Sequence, residues 1–117
     1  MTIDEAITTL REAVERVKTA HEAYNSAVAV AEAAEAELKR CEAATIMEPD
    51  TVAGKNETER RSRLLILMGE VYDEEQAMVR AAAKAKREAE ADLEYARDLR
   101  SIAKRQVDAL IAQGRAE

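Results

Sequence analysis

Residues 3–31 read IDEAITTLREAVERVKTAHEAYNSAVAVA, and the placing of their larger side chains decides the fold. Ile3, Ile7, Leu10, Val14, Val17, His21, Tyr24, Val28 and Ala31 recur in alternating steps of four and three. That spacing is a heptad stripe on one face of an α-helix and excludes the two-residue alternation of a half-buried strand. Strict continuation beyond Ala31 lands on Glu35 and Glu42, whereas Ala34, Leu38, Cys41 and Thr45 continue the stripe after a slip of one residue. A stammer-type phase shift is therefore expected after Ala31. Thr2 is placed to cap the helix with Glu5 three residues on, and the helix is predicted over about 3–47.

Working outward, the next segment is EPDTVAGKNETER, residues 48–60, with the only proline of the chain, Pro49. Proline disfavours a helical conformation at Glu48 and lacks a backbone donor, so the helix stops; Asp50, Thr51 and Gly54 supply turn chemistry. Asn56 with Glu59 has the form of a second capping box. The spacing predicts a turn over 48–56, a short helix over about 57–68, a kink or break at Gly69 and a long helix over about 70–113. In the long helix Val71 or Tyr72, Met78 or Val79, Ala82, Ala85, Ala89, Leu93, Ala96, Leu99, Ala103, Val107 and Leu110 keep one face apolar, and Gly114 is expected to end it. Two long helices joined by one loop must lie antiparallel. The expected fold is a single all-α domain: an antiparallel helical hairpin or coiled coil with a short extra helix after the turn, assembling into a helical bundle.

Composition supports an elongated hairpin. The chain has 117 residues, 47% hydrophobic and 36% charged, with no Phe, no Trp and three Tyr. Alanine supplies much of the apolar fraction, so a lone hairpin leaves its larger side chains half wet. Self-association, most simply a dimer forming a four-helix bundle, is expected. No run approaches the roughly 20 apolar residues of a membrane span, the first residues carry acids rather than a leader-like apolar stretch, and one cysteine permits no intrachain disulfide. A cytoplasmic protein without membrane contact is the expectation.

Charge is unevenly spread. Residues 1–50 hold 5 basic and 11 acidic side chains, whereas residues 51–117 hold 13 of each, giving a net charge of −6. An acidic first half argues against simple phosphate-backbone binding. Lys55, Arg60, Arg61 and Arg63 form a basic cluster at the hairpin tip and are the candidate partner-binding residues for a carboxylate- or phosphate-bearing partner. Along the last helix Lys84, Lys86, Arg87, Arg97, Arg100, Lys104 and Arg105 are read as charges matched by the acidic first helix.

The residues that could carry chemistry point elsewhere. His21 falls on the stripe as a polar residue that specifies register, because a bundle di-iron site needs Glu-x-x-His and Lys18 occupies the glutamate position. Asp73, Glu74, Glu75 and Glu32, Glu35, Glu37 lack the glycine and oxygen spacing of a calcium loop and read as solvated faces. Ser26, Ser62 and Ser101 lack His and Asp companions, and Cys41 reads as a small hydrophobe. Catalytic, metal and cofactor sites are not expected.

The segment GKNETERRSRLLILMGEVYDEEQ, residues 54–76, followed by an Ala-, Glu- and Arg-rich helix, resembles small phage and prophage helical proteins. In these a Gly-Lys-Asn…Glu-Arg signature opens a short helix before a second coiled-coil arm. The resemblance rests on Gly54, Lys55, Asn56, Glu59, Arg60 and Tyr72 and covers 54 to about 110. It implies an interaction protein that binds a host or phage protein, such as an inhibitor of a host defence complex of the anti-CRISPR kind. Two other expectations stand beside it: an accessory of phage DNA recombination or packaging that contacts nucleic acid through the last helix, and a purely structural coiled-coil spacer.

Overall fold

The computed structural model describes residues 1–46 and 69–116. Among the described residues it contains two α-helices, α1 (Ile3–Ile46) and α2 (Glu70–Ala116), packed against each other as an all-α hairpin. Met47, the turn over 48–56, the short helix over 57–68 with its Asn56–Glu59 cap, and the side chain of Thr45 lie outside the described residues.

The start of α1 follows its sequence. The Glu5 amide donates to Thr2 Oγ1 at 3.2 Å, the Thr2 hydroxyl donates to Glu5 Oε1 at 3.2 Å, and the Ala6 amide donates to the Thr2 carbonyl at 3.0 Å. The first bond satisfies an amide that a helix N-terminus leaves without an intrahelical partner, the third is the first turn's own bond, and Asp4 and Glu5 add negative charge where the helix dipole is positive. Gly69 has φ +53° and immediately precedes α2. A side chain in that left-handed region costs about 1–2 kcal/mol, so α2 begins after Gly69 instead of running through it as a kinked helix. At the other end α2 continues through Gly114 to Ala116, beyond the stop expected at residue 113. The roughly 1 kcal/mol that one glycine costs relative to alanine is too small to end a helix of 47 residues.

The chain divides into two compact units. Unit one is Met1–Ser26 with Arg87–Glu117, and unit two is Ala27–Lys86. In unit one Ala6 and Ala13 of α1 are buried with Leu93, Ala96, Ala103 and Val107 of α2. Leu10 and Val14 share a groove with Lys104 and Val107, while Arg16 meets Tyr95, so rising numbers in α1 face falling numbers in α2. In unit two Ala31, Tyr72 and Ala82 are buried; Leu38 shares a groove with Gln76 and Val79, and Glu42 meets Tyr72, again antiparallel.

The buried face of α1 is rotated by one residue from the stripe of large side chains. Its inner positions are Ala6, Leu10, Ala13, Val17, Ala20, Tyr24, Ala27, Ala31, Ala34, Leu38 and Cys41, all buried or half-buried. This is an unbroken alternation of four and three, so the phase shift expected after Ala31 does not occur. Leu10, Val17, Tyr24, Ala31, Ala34, Leu38 and Cys41 belong to both readings. The inner column, however, is Ala6, Ala13, Ala20, Ala27 and Ala34, one alanine every seven residues, and α2 answers with Ala82, Ala89, Ala96 and Ala103. Small side chains let the backbones approach toward the near end of the usual 8–10 Å separation. Each alanine methyl contributes only about 0.8 kcal/mol by burial, so the seam gains close contact at the expense of area.

The displaced column is then on the flank. Val14 exposes 46% of its surface, Ile7 and Val28 are half-buried and His21 is exposed, while Ile3, at the end of the shared column, exposes 42%. His21 therefore does not specify register inside this hairpin; Ala20 occupies the inner position because an imidazole is too large for a seam built on methyl groups. On α2 the inner choices are Tyr72 and Val79, leaving Val71 and Met78 exposed, and Leu93, Leu99 and Leu110 lie buried or half-buried as the spacing predicts. Ala85 is exposed and Lys86 takes the half-buried position beside it, which a long side chain with an apolar stem and a charged end tolerates.

Candidate interaction surfaces

The tip cluster of Lys55, Arg60, Arg61 and Arg63 lies outside the described residues. The surfaces that are described follow from the seam. A methyl-lined seam draws the helices together but cannot cover the side chains on either shoulder, so a groove remains on each side of unit one.

The first groove has Ala13 and Ala103 at its base and Thr9, Arg16, Leu99 and Ile102 along its sides. Arg16 of α1 crosses the seam and places its guanidinium 5.0 Å from the centre of the Tyr95 ring. The ring is 55% exposed, so this cation–π contact contributes at the lower end, about 0.5–1 kcal/mol. It covers part of an apolar shoulder that also includes Ile102, itself half exposed. The second groove is lined by Leu10 and Val14 of α1 and by Arg100, Lys104, Val107 and Asp108 of α2. Its base is apolar and its rim is charged.

The basic series on α2 was expected to be matched by acids. Lys84 and Glu88 do engage in interactions, but Arg97, Arg100, Lys104 and Arg105 are exposed and have no carboxylate within ion-pair distance among the described residues. An ion pair within α1, Arg40 to Glu37 at 2.8 Å, joins two exposed side chains and contributes little to stability.

Unit two carries polar contacts across its seam. Tyr72 is 2% exposed and its hydroxyl donates to Glu42 Oε1 at 3.3 Å. Burying the ring supplies apolar area that alanines do not, and the hydroxyl requires an acceptor when it is buried. Immediately before Glu42 along α1, the Cys41 thiol donates to Glu37 Oε1, one turn back, at 3.9 Å, and the Glu75 carboxylate approaches from α2. Partial burial, the two carboxylates and the hydrogen bond to Glu37 push the thiol pKa above its ordinary value, with Arg40 opposing. The Sγ atom and the carboxylate oxygens lie within 4.8 Å of one another, close enough to share one cation. In the protonated state favoured here the thiol is a hydrogen-bond donor and a weak nucleophile. The acidic sets singled out by sequence are elsewhere solvated: Glu32, Glu35, Asp73 and Glu74 are exposed.

Sequence reasoning missed the Tyr72–Glu42 bond and the Arg16–Tyr95 contact. The first had a signal, since Tyr72 stood as an alternative to Val71 and a buried tyrosine needs an acceptor on the facing helix. The second had none, because Tyr95 lies outside both apolar columns. No family model matches the chain, and neither a curated protein nor a solved structure matches it. Among the described residues no helix is long and apolar enough to cross a membrane.

Proposed function

We propose that the chain is a non-catalytic interaction protein: a helical hairpin that self-associates into a bundle and binds another protein. The observation that supports this reading is the width of the apolar stripe on α1. Two columns, the inner alanine column and the outer one of Ile7, Val14 and Val28, flank a shared column of Ile3, Leu10, Val17 and Tyr24, and the outer column is the less covered of the two, with Val14 46% exposed. A stripe of that width is the pattern of a bundle helix with neighbours on two sides, whereas a two-stranded coil needs only the narrow seam. Tyr95 and Ile102 on α2 add to the uncovered apolar surface of unit one, at 55% and 50% exposure.

The resemblance of residues 54 to about 110 to small phage and prophage proteins extends the proposal: the partner is a host or phage protein, and inhibition of a defence complex in the anti-CRISPR manner is one form the binding takes. The basic tip cluster is the proposed partner contact. Sedimentation velocity at micromolar concentration tests the assembly: a dimer or larger species is expected, and a strictly monomeric species contradicts it. Replacing Arg60, Arg61 and Arg63 together by Ala should abolish partner capture, and unchanged capture removes the tip from the proposal. The exposed cations of α2 favour a second reading, contact with nucleic acid; a gel shift with duplex DNA at moderate salt decides for it.

A further inference from the structure

The second groove of unit one combines two features that do not usually occur together on a chain with a net charge of −6. Its base is apolar, made by Leu10, Val14 and Val107, and its rim carries Arg100 and Lys104 against the single carboxylate of Asp108. Asp108 is one turn beyond Lys104 on the same helix, yet neither cation is within ion-pair distance of a carboxylate among the described residues. By helical period Arg97, one heptad before Lys104, and Arg11 and Lys18 of α1 fall on the same face, against the carboxylates of Glu94 and Asp4, so cations remain in excess there. Val14 is 46% exposed although it sits at the centre of this surface.

We propose that this groove is a docking site for an amphipathic α-helix of another protein, whose apolar stripe lies on Leu10, Val14 and Val107 and whose flanking Asp or Glu side chains pair with Arg100 and Lys104. The proposal rests on the reading of the chain as a protein-binding module and names the chemistry of a second contact, separate from the tip. A helix laid in a groove between two helices presents anchors at i, i+3 or i+4 and i+7, which suits an apolar floor bounded by two walls. Complementary charge supplies orientation and encounter rate. The alternative occupants fit less well. Phosphates of duplex DNA gain nothing from three aliphatic side chains between the cations. A second copy docked on this face through a two-fold axis sets the Arg100 and Lys104 patch of one copy against the same patch of the other, so the self-association proposed above is placed on the opposite shoulder, at Tyr95 and Ile102, and leaves this groove for another chain.

The test uses the isotope-labelled full chain and a synthetic Ala-based helix bearing Leu at i, i+3 and i+7 with Glu beside them, together with a twin carrying Lys for Glu. The Glu peptide should bind saturably and shift the resonances of Leu10, Val14, Lys104 and Val107. The Lys twin should not, and R100E/K104E should weaken the Glu peptide by roughly tenfold or more. Both substitutions are at exposed positions, and circular dichroism verifies that the variant stays helical. Absence of saturable binding, equal binding of the twin, or shifts confined to other residues overturns the proposal. So does a short DNA duplex that shifts the same resonances and resists competition by the Glu peptide, or an R100E/K104E variant that turns an oligomer into a monomer. If the Glu peptide fails while the chain still sediments as an oligomer and the tip still captures its partner, the groove assignment alone is lost.

Discussion

Units one and two are closed by the same pair of helices in different ways. In unit one the contact is aliphatic, with Ala6, Ala13, Ala96 and Ala103 meeting beside Leu93 and Val107, and the charges stay outside. In unit two a tyrosine hydroxyl, a thiol, the three carboxylates of Glu37, Glu42 and Glu75 and the half-buried Lys86 stand at or beside the seam. Methyl-to-methyl packing has no direction, so alone it would tolerate a slip of one heptad. The Tyr72–Glu42 bond does not, because a slip would strand a buried hydroxyl at a cost of about 1–3 kcal/mol. Unit one is thus held by undirected aliphatic contact and keeps exposed surface, whereas unit two has a directional contact within its own seam.

The comparison can be broken at several strengths. The largest effect belongs to the packing of unit one: Leu93→Ala should cost about 2–5 kcal/mol in urea unfolding, since Leu93 is among the few large side chains buried there. A loss below about 1 kcal/mol would mean that its site is looser than the seam described. Next comes register. Tyr72→Phe keeps the ring and removes the donor, and should cost about 1 kcal/mol with Glu42 returning to water. If this bond sets the register of unit two, the same variant should broaden the distribution of spin-label distances across unit two, and an unchanged distribution would refute that role.

The smallest effect concerns Cys41. Its pKa is raised in the fold, so the protonated thiol is the form the fold favours. The associated stability is present below the unfolded thiol value of 9.0 and is lost as pH rises from there through the folded pKa. Cys41→Ala should therefore lose less stability than the parent between neutral and strongly alkaline pH. Alkylation of Cys41 at mildly alkaline pH should also be slower in the folded chain than in urea, and equal rates would count against the carboxylate surroundings.

Much of this was legible in the sequence. The alternation from Ile3 to Ala31 identifies a long helix, Thr2 with Glu5 marks its start, and Gly69 marks the boundary before α2. The rotation of the inner face was not read, because the steps Ile3, Ile7, Leu10, Val14 and the steps Ala6, Leu10, Ala13, Val17 have the same period and differ by one column. Large side chains draw attention to the first. The signal for the second is an alanine every seventh residue in both helices, and in a two-helix contact close approach decides which column turns inward. The grooves were illegible for another reason: a sequence shows which charges could pair at a four-residue spacing, whereas Lys104 and Asp108 have that spacing and do not pair.

The central claim, that Ala13 faces α2 and Val14 stands on its shoulder, is tested most directly by urea unfolding of Ala13→Leu beside Val14→Leu at low protein concentration. The account predicts a loss of about 1–3 kcal/mol for Ala13→Leu, from overpacking a site that is 8% exposed, and a change within about 0.5 kcal/mol for Val14→Leu. A tolerated leucine at 13 with a damaging one at 14 would put the stripe of large side chains inside and contradict it.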